Sequence, residues 1–229
     1  FTNRYYAAGL QPRTAEGNPY GEGYYDDFNT AVGLDSAGHT QLHHKGKLVI
    51  GVENTPTVIF DLMQFLVIDL GGVVGQIGMG QHGTAFGHAG MRMGPAICYE
   101  GLYGDFYGDF VRRGAQFMAI ISNDGWWGDT PGYKHMFTIS RLRAIEHRRA
   151  IARSANTGMS GFISARGDIG ETLGWEKRGV ISAAVPLNSE LTFYTRYGDY
   201  LGRISEYLTL LCVLYYIAYR VKRKNYLVK

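Results

Sequence analysis

Between residues 96 and 185, short apolar blocks alternate with polar segments, and their spacing predicts alternating strands and helices. The run Gln116–Ser122 (QFMAIIS) is apolar almost throughout, which is typical of a strand covered on both faces. From Lys134 to Ala150, apolar residues recur every three or four positions, as they do on one face of a helix. We also expect a helix over 103–113 and strands near 95–98, 151–154, 161–164 and 180–185. This alternation is typical of a layered α/β domain.

The N-terminal third is less regular, and one hairpin stands out. Residues 29–34 (NTAVGL) and 41–44 predict two strands around a turn at 35–38, with the hairpin ending near Lys45. Residues 1–27 are rich in Gly, Pro, Tyr and Asn and predict a loop or lid. Residues 57–70 are apolar but shorter than a membrane span of about 20 residues, so we expect a buried or interfacial helix. Residues 71–94 predict a long irregular connection with a possible strand.

A second long apolar segment, residues 201–219 (LGRISEYLTLLCVLYYIAY), closes the chain. Its length approaches that of a membrane span of about 20 residues, and Arg203 and Glu206 can pair one helical turn apart at the membrane surface. Tyrosines cluster toward both ends, and a basic tail follows, as on the cytoplasmic side of a membrane. We therefore expect a membrane helix. The alternative is a buried amphipathic helix that docks on the domain.

Composition narrows the class of protein. With 229 residues and 45% hydrophobic content, the chain can build a full core, which excludes general disorder. The net charge is +3, and five of the 23 basic residues lie in the last ten positions, directly after an apolar run. We therefore expect no nucleic acid partner. The chain begins at Phe1 within sequence typical of the middle of a protein, so we expect a fragment or a processed chain.

Two reactive side chains follow predicted strands. Cys98 comes directly after a short apolar strand, where a thiol can act as a nucleophile and neighbouring N–H groups can hold an oxyanion. Lys45 ends the hairpin, and an ammonium beside a thiol would favour the thiolate. The alternatives are a packed cysteine and a solvated loop lysine. His43 and His44 invite a Cys–His or metal site, but no third ligand has suitable spacing, so we expect no metal.

Five strings together resemble a known family. In order, they are His44–Glu53 (HKGKLVIGVE), Ile97–Glu100 (ICYE), Ser122–Gly128 (SNDGWWG), Arg143–Arg149 (RAIEHRR) and Arg153–Gly158 (RSANTG). In this order and spacing they resemble the nitrilase-type domain of apolipoprotein N-acyltransferases, within the carbon–nitrogen hydrolase superfamily. The resemblance covers about residues 25–220.

The resemblance implies an α/β fold, a nitrilase-like α-β-β-α sandwich followed by one C-terminal transmembrane helix. On this basis residues 1–198 form an N-terminally truncated nitrilase-like domain. Residues 199–229 form the transmembrane helix and a basic cytoplasmic tail. The protein would lie in the bacterial inner membrane, with its catalytic domain on the periplasmic side.

The resemblance also implies a Glu–Lys–Cys mechanism. Cys98 would take an acyl chain from a phospholipid as a thioester and pass it to the N-terminal α-amine of a diacylglyceryl apolipoprotein. Lys45 would stabilise the oxyanion, helped by the Tyr99 N–H, while Glu53 would support the lysine. Glu100 matches a further active-site glutamate. No cofactor is implied.

Substrate contacts are expected from the segment after the strand at 116–122. Trp126 and Trp127 match a loop near the lipid entry. Asn123 and Asp124 end the strand next to the site, where they could position the Cys98 loop. The alternative is that they form the turn, which is the usual role of such residues at a strand end.

Two departures from the family pattern bear on activity. Family members often read Pro-Phe-Gly-Glu where this chain has residues 50–53 (IGVE). The family's glutamate base lies well before the lysine, and Glu16 and Glu22 are too close to Lys45 to match it, so we expect this base to be absent. Two other interpretations remain open. One is a soluble carbon–nitrogen hydrolase of the amidase or nitrilase type, and the other is a catalytically incomplete fragment or binding module.

Overall fold

The computed structural model describes residues 28–35, 37–50, 53 and 77–227. The predicted loop over residues 1–27, the predicted helix over 57–70 and the first part of the connection from residue 71 lie outside these ranges. Glu16 and Glu22 lie outside them as well.

The predicted hairpin is confirmed. Strand β1 (Thr30–Leu34) pairs antiparallel with β2 (Thr40–His44), with Thr30 opposite His44. Asp35 shapes the turn, because its Oδ1 accepts hydrogen bonds from the N–H groups of Ala37 and His39 at 2.9 and 2.8 Å. Lys45 directly follows the hairpin, and its main-chain N–H donates to the Asn29 carbonyl at 2.8 Å.

A six-stranded sheet forms the centre of the domain. Its strands follow one another in space as they do in sequence: β3 (Phe86–His88), β4 (Met91–Ile97), β5 (Phe117–Ser122), β6 (Ile151–Ala155), β7 (Ser160–Ile163) and β8 (Ile169–Leu173). The three middle strands, β4, β5 and β6, are parallel, and the outer pairings are antiparallel. The carboxyl ends of the parallel strands therefore meet at one edge of the sheet.

Two helices pack on this sheet and supply much of the core. They are α1 (Gly104–Arg112) and α2 (Pro131–His147). The core combines side chains from both helices with strand side chains: Phe110, Val111, Phe137, Ala144, Met118, Ile120, Ile151 and Ile163. Helix α2 begins earlier than predicted because Thr130 Oγ1 accepts from the Gly132 N–H at 3.2 Å and Pro131 follows the cap. It ends at His147 because Arg148 turns left-handed, with φ of 51°.

Two strand predictions need correction. The strand expected at 180–185 does not form, because Val180 is 95% exposed and has no core to cover. The last strand is instead β8, joined to β7 by a turn in which the Ser164 N–H donates to the Asp168 carbonyl at 2.9 Å. Strand β4 is also longer than the strand predicted at 95–98, because it begins at Met91. Strand β3 lies within the connection at 71–94, where a possible strand was expected.

A short helix, α3 (Phe193–Tyr197), docks on α1 and α2 through polar contacts. His147 is fully buried, with Nδ1 2.9 Å from Thr195 Oγ1 and Nε2 3.1 Å from the Gly104 carbonyl. Since a carbonyl only accepts, Nε2 carries the proton and Nδ1 accepts from the threonine hydroxyl. Arg112 Nη1 donates to the Thr195 carbonyl at 3.0 Å. These bonds tie the segment after the sheet to both helices.

The last element is α4 (Tyr200–Leu227), a helix of 28 residues. Its portion Tyr200–Arg220 has a mean hydropathy of 1.3, and none of it is buried against the described residues. It is not a core helix of the described domain, which argues against the docking alternative. By length and composition it qualifies as a membrane span. The division into residues 1–198 and 199–229 stays a prediction.

Burial lowers the pKa of His147 from its ordinary value of 6.5 to about 3, and the nearby Arg143 adds to this effect. The folded protein therefore keeps His147 neutral where the unfolded chain already binds a proton. Because the folded pKa is depressed, the free energy of unfolding falls as the pH drops below 6.5. At pH 5 this one group is expected to cost about 2 kcal/mol.

We predict that His147→Gln, which cannot titrate, reduces by about 2 kcal/mol the loss of unfolding free energy between pH 7 and pH 5. Urea unfolding of the intact protein in detergent, followed by tryptophan fluorescence, measures this difference. The control is His135→Gln, because His135 is an exposed residue of α2, and the loss of unfolding free energy between pH 7 and pH 5 in this variant should match the wild type. Equal pH dependence in wild type and His147→Gln would contradict the prediction.

Candidate active site

Cys98 lies at the carboxyl end of β4 as the first residue of a 3-10 helix, Cys98–Leu102. Its φ is +46°, a left-handed conformation that costs a residue with a side chain roughly 1–2 kcal/mol. The thiol is free and half-buried. Strain of this kind is concentrated at functional sites, and a tight turn after a strand is the setting in which nucleophiles are presented.

The Lys45 ammonium is held by a carboxylate eight residues later. Lys45 Nζ lies 2.8 and 2.7 Å from the two carboxylate oxygens of Glu53, and the lysine side chain is 1% exposed. Glu53 also accepts hydrogen bonds from Asn29 Nδ2 at 3.0 Å and from the Val49 N–H at 2.8 Å. The ion pair thus keeps a cation inside the protein just after β2. The solvated-loop alternative for Lys45 is wrong.

Glu100 joins the lysine segment to the cysteine segment. Its carboxylate is fully buried, and it accepts hydrogen bonds from the N–H groups of Gly46 and Ile97, each at 2.6 Å. His43 Nε2 lies 3.1 Å from both carboxylate oxygens. The residue after Lys45 and the residue before Cys98 therefore contact a single carboxyl group. Its oxygens are engaged by protein donors, which suits a positioning role better than contact with substrate.

Gly46 allows this approach. A Cβ at this position would lie 2.3 Å from Cζ of Phe106 and 2.8 Å from the Gly80 carbonyl, so only glycine fits. The loop is further held by the Gly80 N–H, which donates to the Lys45 carbonyl at 2.9 Å.

Tyr99 follows Cys98 in the first turn of the 3-10 helix. N–H groups in a first turn have no acceptor within the helix, so the Tyr99 N–H is available in principle to an oxyanion. Its ring packs edge-on against Tyr103 with centroids 5.6 Å apart. Tyr103 also lines a shallow pocket of about 330 Å³, together with Lys47, Phe106 and Arg112 among others. The Lys47 ammonium lies 5.3 Å from the centroids of the Tyr103 and Phe106 rings.

The end of β5 is held by a buried ion pair that joins it to β6. Asp124 receives Arg153 Nη2 at 2.9 and 2.8 Å, and neither side chain is more than 1% exposed. Ser122 Oγ donates to the same carboxylate at 2.5 Å. Gly158 packs so closely that a Cβ there would lie 2.2 Å from Asp124 Oδ2. Asp124 is therefore a structural residue of this edge of the sheet.

Asn123 and the two tryptophans extend from this end. Asn123 Oδ1 accepts from the Gly125 N–H at 3.2 Å and from Asn156 Nδ2 at 2.8 Å, which are turn-forming contacts. Trp126 and Trp127 lie on a 3-10 helix, Gly125–Trp127, and are 51% and 42% exposed. The substrate-binding roles expected for these three residues stay predictions.

The sequence did not single out the roles of His43 and Arg153. His43 was considered for a metal or Cys–His site, whereas its ring contacts Glu100. Within the described ranges, no group of three His, Cys, Asp or Glu side chains could hold a metal ion. One feature of the sequence could have predicted the role of Arg153. Its charged side chain lies in the otherwise apolar start of β6, where burial requires a carboxylate partner.

Comparisons with known proteins identify the family of this chain. The family described as carbon-nitrogen hydrolase matches residues 4–191. Apolipoprotein N-acyltransferase of Chlorobaculum tepidum is 36% identical over 181 residues, covering 76% of this chain and 34% of that protein. The enzyme of the same name from Verminephrobacter eiseniae is 33% identical over 187 residues, covering 80% of this chain and 34% of that protein. The chain thus spans about a third of the length of these relatives, and the resemblance seen in the sequence is confirmed.

Solved structures share the fold. A variant of the amidase from Nesterenkonia sp. AN1 superposes with a TM-score of 0.51 at 15% identity, covering 80% of this chain and 65% of the amidase. The NitFhit protein of C. elegans gives a TM-score of 0.50 at 20% identity, covering 66% of this chain and 36% of that protein. At these identities the likeness concerns the fold alone. The predicted nitrilase-like α/β fold is confirmed.

We predict that Asp124→Asn destabilises the protein by about 3–5 kcal/mol, because it leaves the buried Arg153 guanidinium without a counter-charge. Urea unfolding monitored by tryptophan fluorescence measures the change. The matched control is Asp168→Asn, because Asp168 lies in an exposed turn, and we expect it to cost about 1 kcal/mol or less. Similar losses in the two variants would contradict the assigned role of Asp124.

We predict that Cys98→Gly is more stable than Cys98→Ala by about 1 kcal/mol, because only glycine adopts positive φ without a Cβ penalty. Thermal unfolding of both variants measures the difference. Thr138, an exposed position inside α2, supplies the control. There the order should reverse, with alanine more stable than glycine by about 1 kcal/mol. The same order at both positions would show that Cys98 is not strained.

Proposed function

Because this chain belongs to the carbon-nitrogen hydrolase family, we propose that it carries the catalytic thiol of an N-acyltransferase that matures lipoproteins. The acyl donor is a phospholipid, the carrier is a Cys98 thioester, and the acceptor is the N-terminal α-amine of a diacylglyceryl apolipoprotein. The observation that carries the proposal is the Glu100 carboxylate, which links the segment of Lys45 to that of Cys98. The names of the relatives in Chlorobaculum tepidum and Verminephrobacter eiseniae supply the substrate class.

The first half-reaction forms the acyl-enzyme. A general base takes the Cys98 proton. The resemblance assigns this role to a glutamate well before Lys45, which Glu16 and Glu22 do not match, so the step requires a protein that supplies this residue in addition to the 229 residues of this chain. The thiolate sulfur attacks the ester carbonyl, a C–S bond forms, and the negative charge develops on the carbonyl oxygen. The Tyr99 N–H and the Lys45 ammonium stabilise this oxyanion. The ester C–O bond then breaks, and the lysophospholipid leaves as an alcohol after taking the proton back.

The second half-reaction releases the acyl chain to the acceptor. The α-amine attacks the thioester carbonyl, a C–N bond forms, and the C–S bond breaks. The proton lost by the amine returns to the sulfur, which restores the thiol and leaves an amide. Because the donor product departs before the acceptor reacts, the kinetics are ping-pong.

The Lys45–Glu53 ion pair supports the oxyanion role of the lysine. A buried ammonium interacts strongly with developing negative charge, since little water screens it. Glu53 and its own donors fix the ammonium in place, so it need not reorganise during the reaction.

Helix α4 supports placement of the enzyme at a membrane. Both substrates are lipids, and a spanning helix keeps the domain beside them. The basic residues at its end favour the cytoplasmic side, so the domain would face the periplasm of the bacterial inner membrane. The exposed Trp126 and Trp127 would then contact lipid near the entry to the site.

The test uses the full-length protein, with the residues that would supply the glutamate base, in detergent with a phospholipid donor and a diacylglyceryl-cysteine lipopeptide acceptor. We predict that Cys98→Ala lowers acyl transfer by about 10³-fold or more, because the covalent route is lost. Without acceptor, mass spectrometry should find an acyl group on Cys98 in the wild type.

The matched control is Cys212→Ser, which removes the other cysteine, an exposed residue of α4, and should keep full activity. Unchanged acyl transfer in Cys98→Ala would disprove the proposal. Turnover of small amides without transfer to the lipopeptide would instead favour a carbon–nitrogen hydrolase.

A further inference from the structure

His43 is a buried histidine whose ring contacts the Glu100 carboxylate. It is 1% exposed and lies on β2, two residues before Lys45. Nε2 contacts both carboxylate oxygens of Glu100 at 3.1 Å. Nδ1 is buried and has no hydrogen-bond partner within the part of the chain that the structure describes. The ring packs edge-on against Phe110, with centroids 4.8 Å apart.

These contacts define how the imidazole binds. Both neighbours of Nε2 are carboxylate oxygens, which accept, so Nε2 carries a proton and donates it. The packing against Phe110 fixes the orientation of the ring. His43 therefore acts on Glu100 as a single, rigidly held N–H donor.

Among the described residues, three groups donate to Glu100, and they come from three different places. Two are main-chain N–H groups, from Gly46 in the loop after β2 and from Ile97 at the end of β4. The third, from His43, approaches both oxygens at once. Without the third donor, the carboxylate keeps two contacts on opposite oxygens and can rotate between them. The relative position of the two backbone segments is then less well defined.

We propose that His43 is a positioning residue for acyl transfer. Through the Glu100 carboxylate it fixes the distance between the loop that carries Lys45 and the turn that carries Cys98. It thereby aligns the Lys45 ammonium with the Cys98 thiol. The inference rests on the proposed function, in which these two groups act on the same carbonyl.

Two amide variants separate positioning from simple bulk. In His43→Gln, the side chain is long enough to place an amide N–H near the position of Nε2, so the bond to Glu100 is kept. In His43→Asn, the shorter side chain reaches only the position of Nδ1, which has no partner among the described residues. The two variants match in polarity and differ in reach.

The measured quantities are kcat and KM for the phospholipid donor, followed as acyl transfer to the lipopeptide at saturating acceptor in the full-length protein. We expect His43→Asn to lower kcat about 100-fold, because small misplacements of reacting groups have effects of this size. Its KM should stay within about threefold of wild type, since the donor-binding surface is unchanged. His43→Gln should keep kcat within about fivefold of wild type.

Two controls exclude a loss of stability as the cause. Ile163→Val removes a buried methyl group from β7, lowers the melting temperature and should leave kcat unchanged. His135→Gln makes the same chemical change at an exposed position of α2 and should change neither. Equal kcat in His43→Gln and His43→Asn would overturn the inference, as would a loss of kcat in Ile163→Val as large as that in His43→Asn.

Should His43→Asn fail to fold, Glu100→Gln answers the same question. It keeps the shape of the carboxyl group but turns one acceptor oxygen into a donor that faces a main-chain N–H. The inference predicts a comparable loss of kcat with little change in KM, and wild-type kcat in this variant overturns it. Failure of the proposed function is distinguishable, because it shows as an unchanged rate in Cys98→Ala.

Discussion

The buried carboxylate of Glu100 is the constraint on which the site depends. An ionised group without solvent is tolerated only when protein donors surround it. Here the donors come from β2, from the loop after it and from the end of β4, so the three segments must converge for the carboxylate to be satisfied. The approach is close enough to require glycine at position 46. The contacts that join the hairpin to the sheet are therefore also contacts of the candidate site.

Other buried charges act on the same edge of the domain in the same way. The Asp124–Arg153 ion pair joins the ends of β5 and β6, and the Lys45–Glu53 pair stiffens the loop after β2. Arg149 lies at the opposite edge, just before β6. Within the described residues, its guanidinium donates to main-chain carbonyls, those of Ala115, His147, Arg148 and Glu190. Each such group costs desolvation and adds specificity, since few arrangements supply all its partners. Helix α1 begins two residues after the 3-10 helix of Cys98, and it also contacts α3. The turn that carries Cys98 and the segment that leads into α4 therefore pack against the same helix.

Local pattern predicted the regular elements well. The hairpin at 30–44, strand β5 and helix α2 follow from turn chemistry, continuous apolar character and helical spacing, all of which act over a few residues. The expected strand at 180–185 failed because apolar residues form a strand only where a neighbouring edge and a core receive them, and Val180 has neither. Strand β4 was underestimated because the glycines and charged residues around Met91 conceal a segment that pairs with β3.

The sequence by itself determined the α/β class, the exposed apolar helix at the end and the candidate nucleophile and lysine, because these depend on residue type, spacing and shared motifs. The tertiary structure alone decided what Glu100 and His43 do. Residues 43, 46, 97 and 100 lie in two segments more than fifty positions apart, and hydrogen bonds of 2.6–3.1 Å form only after the chain has folded. Short-range patterns carry no information on such contacts, since the same residues in another register would face solvent.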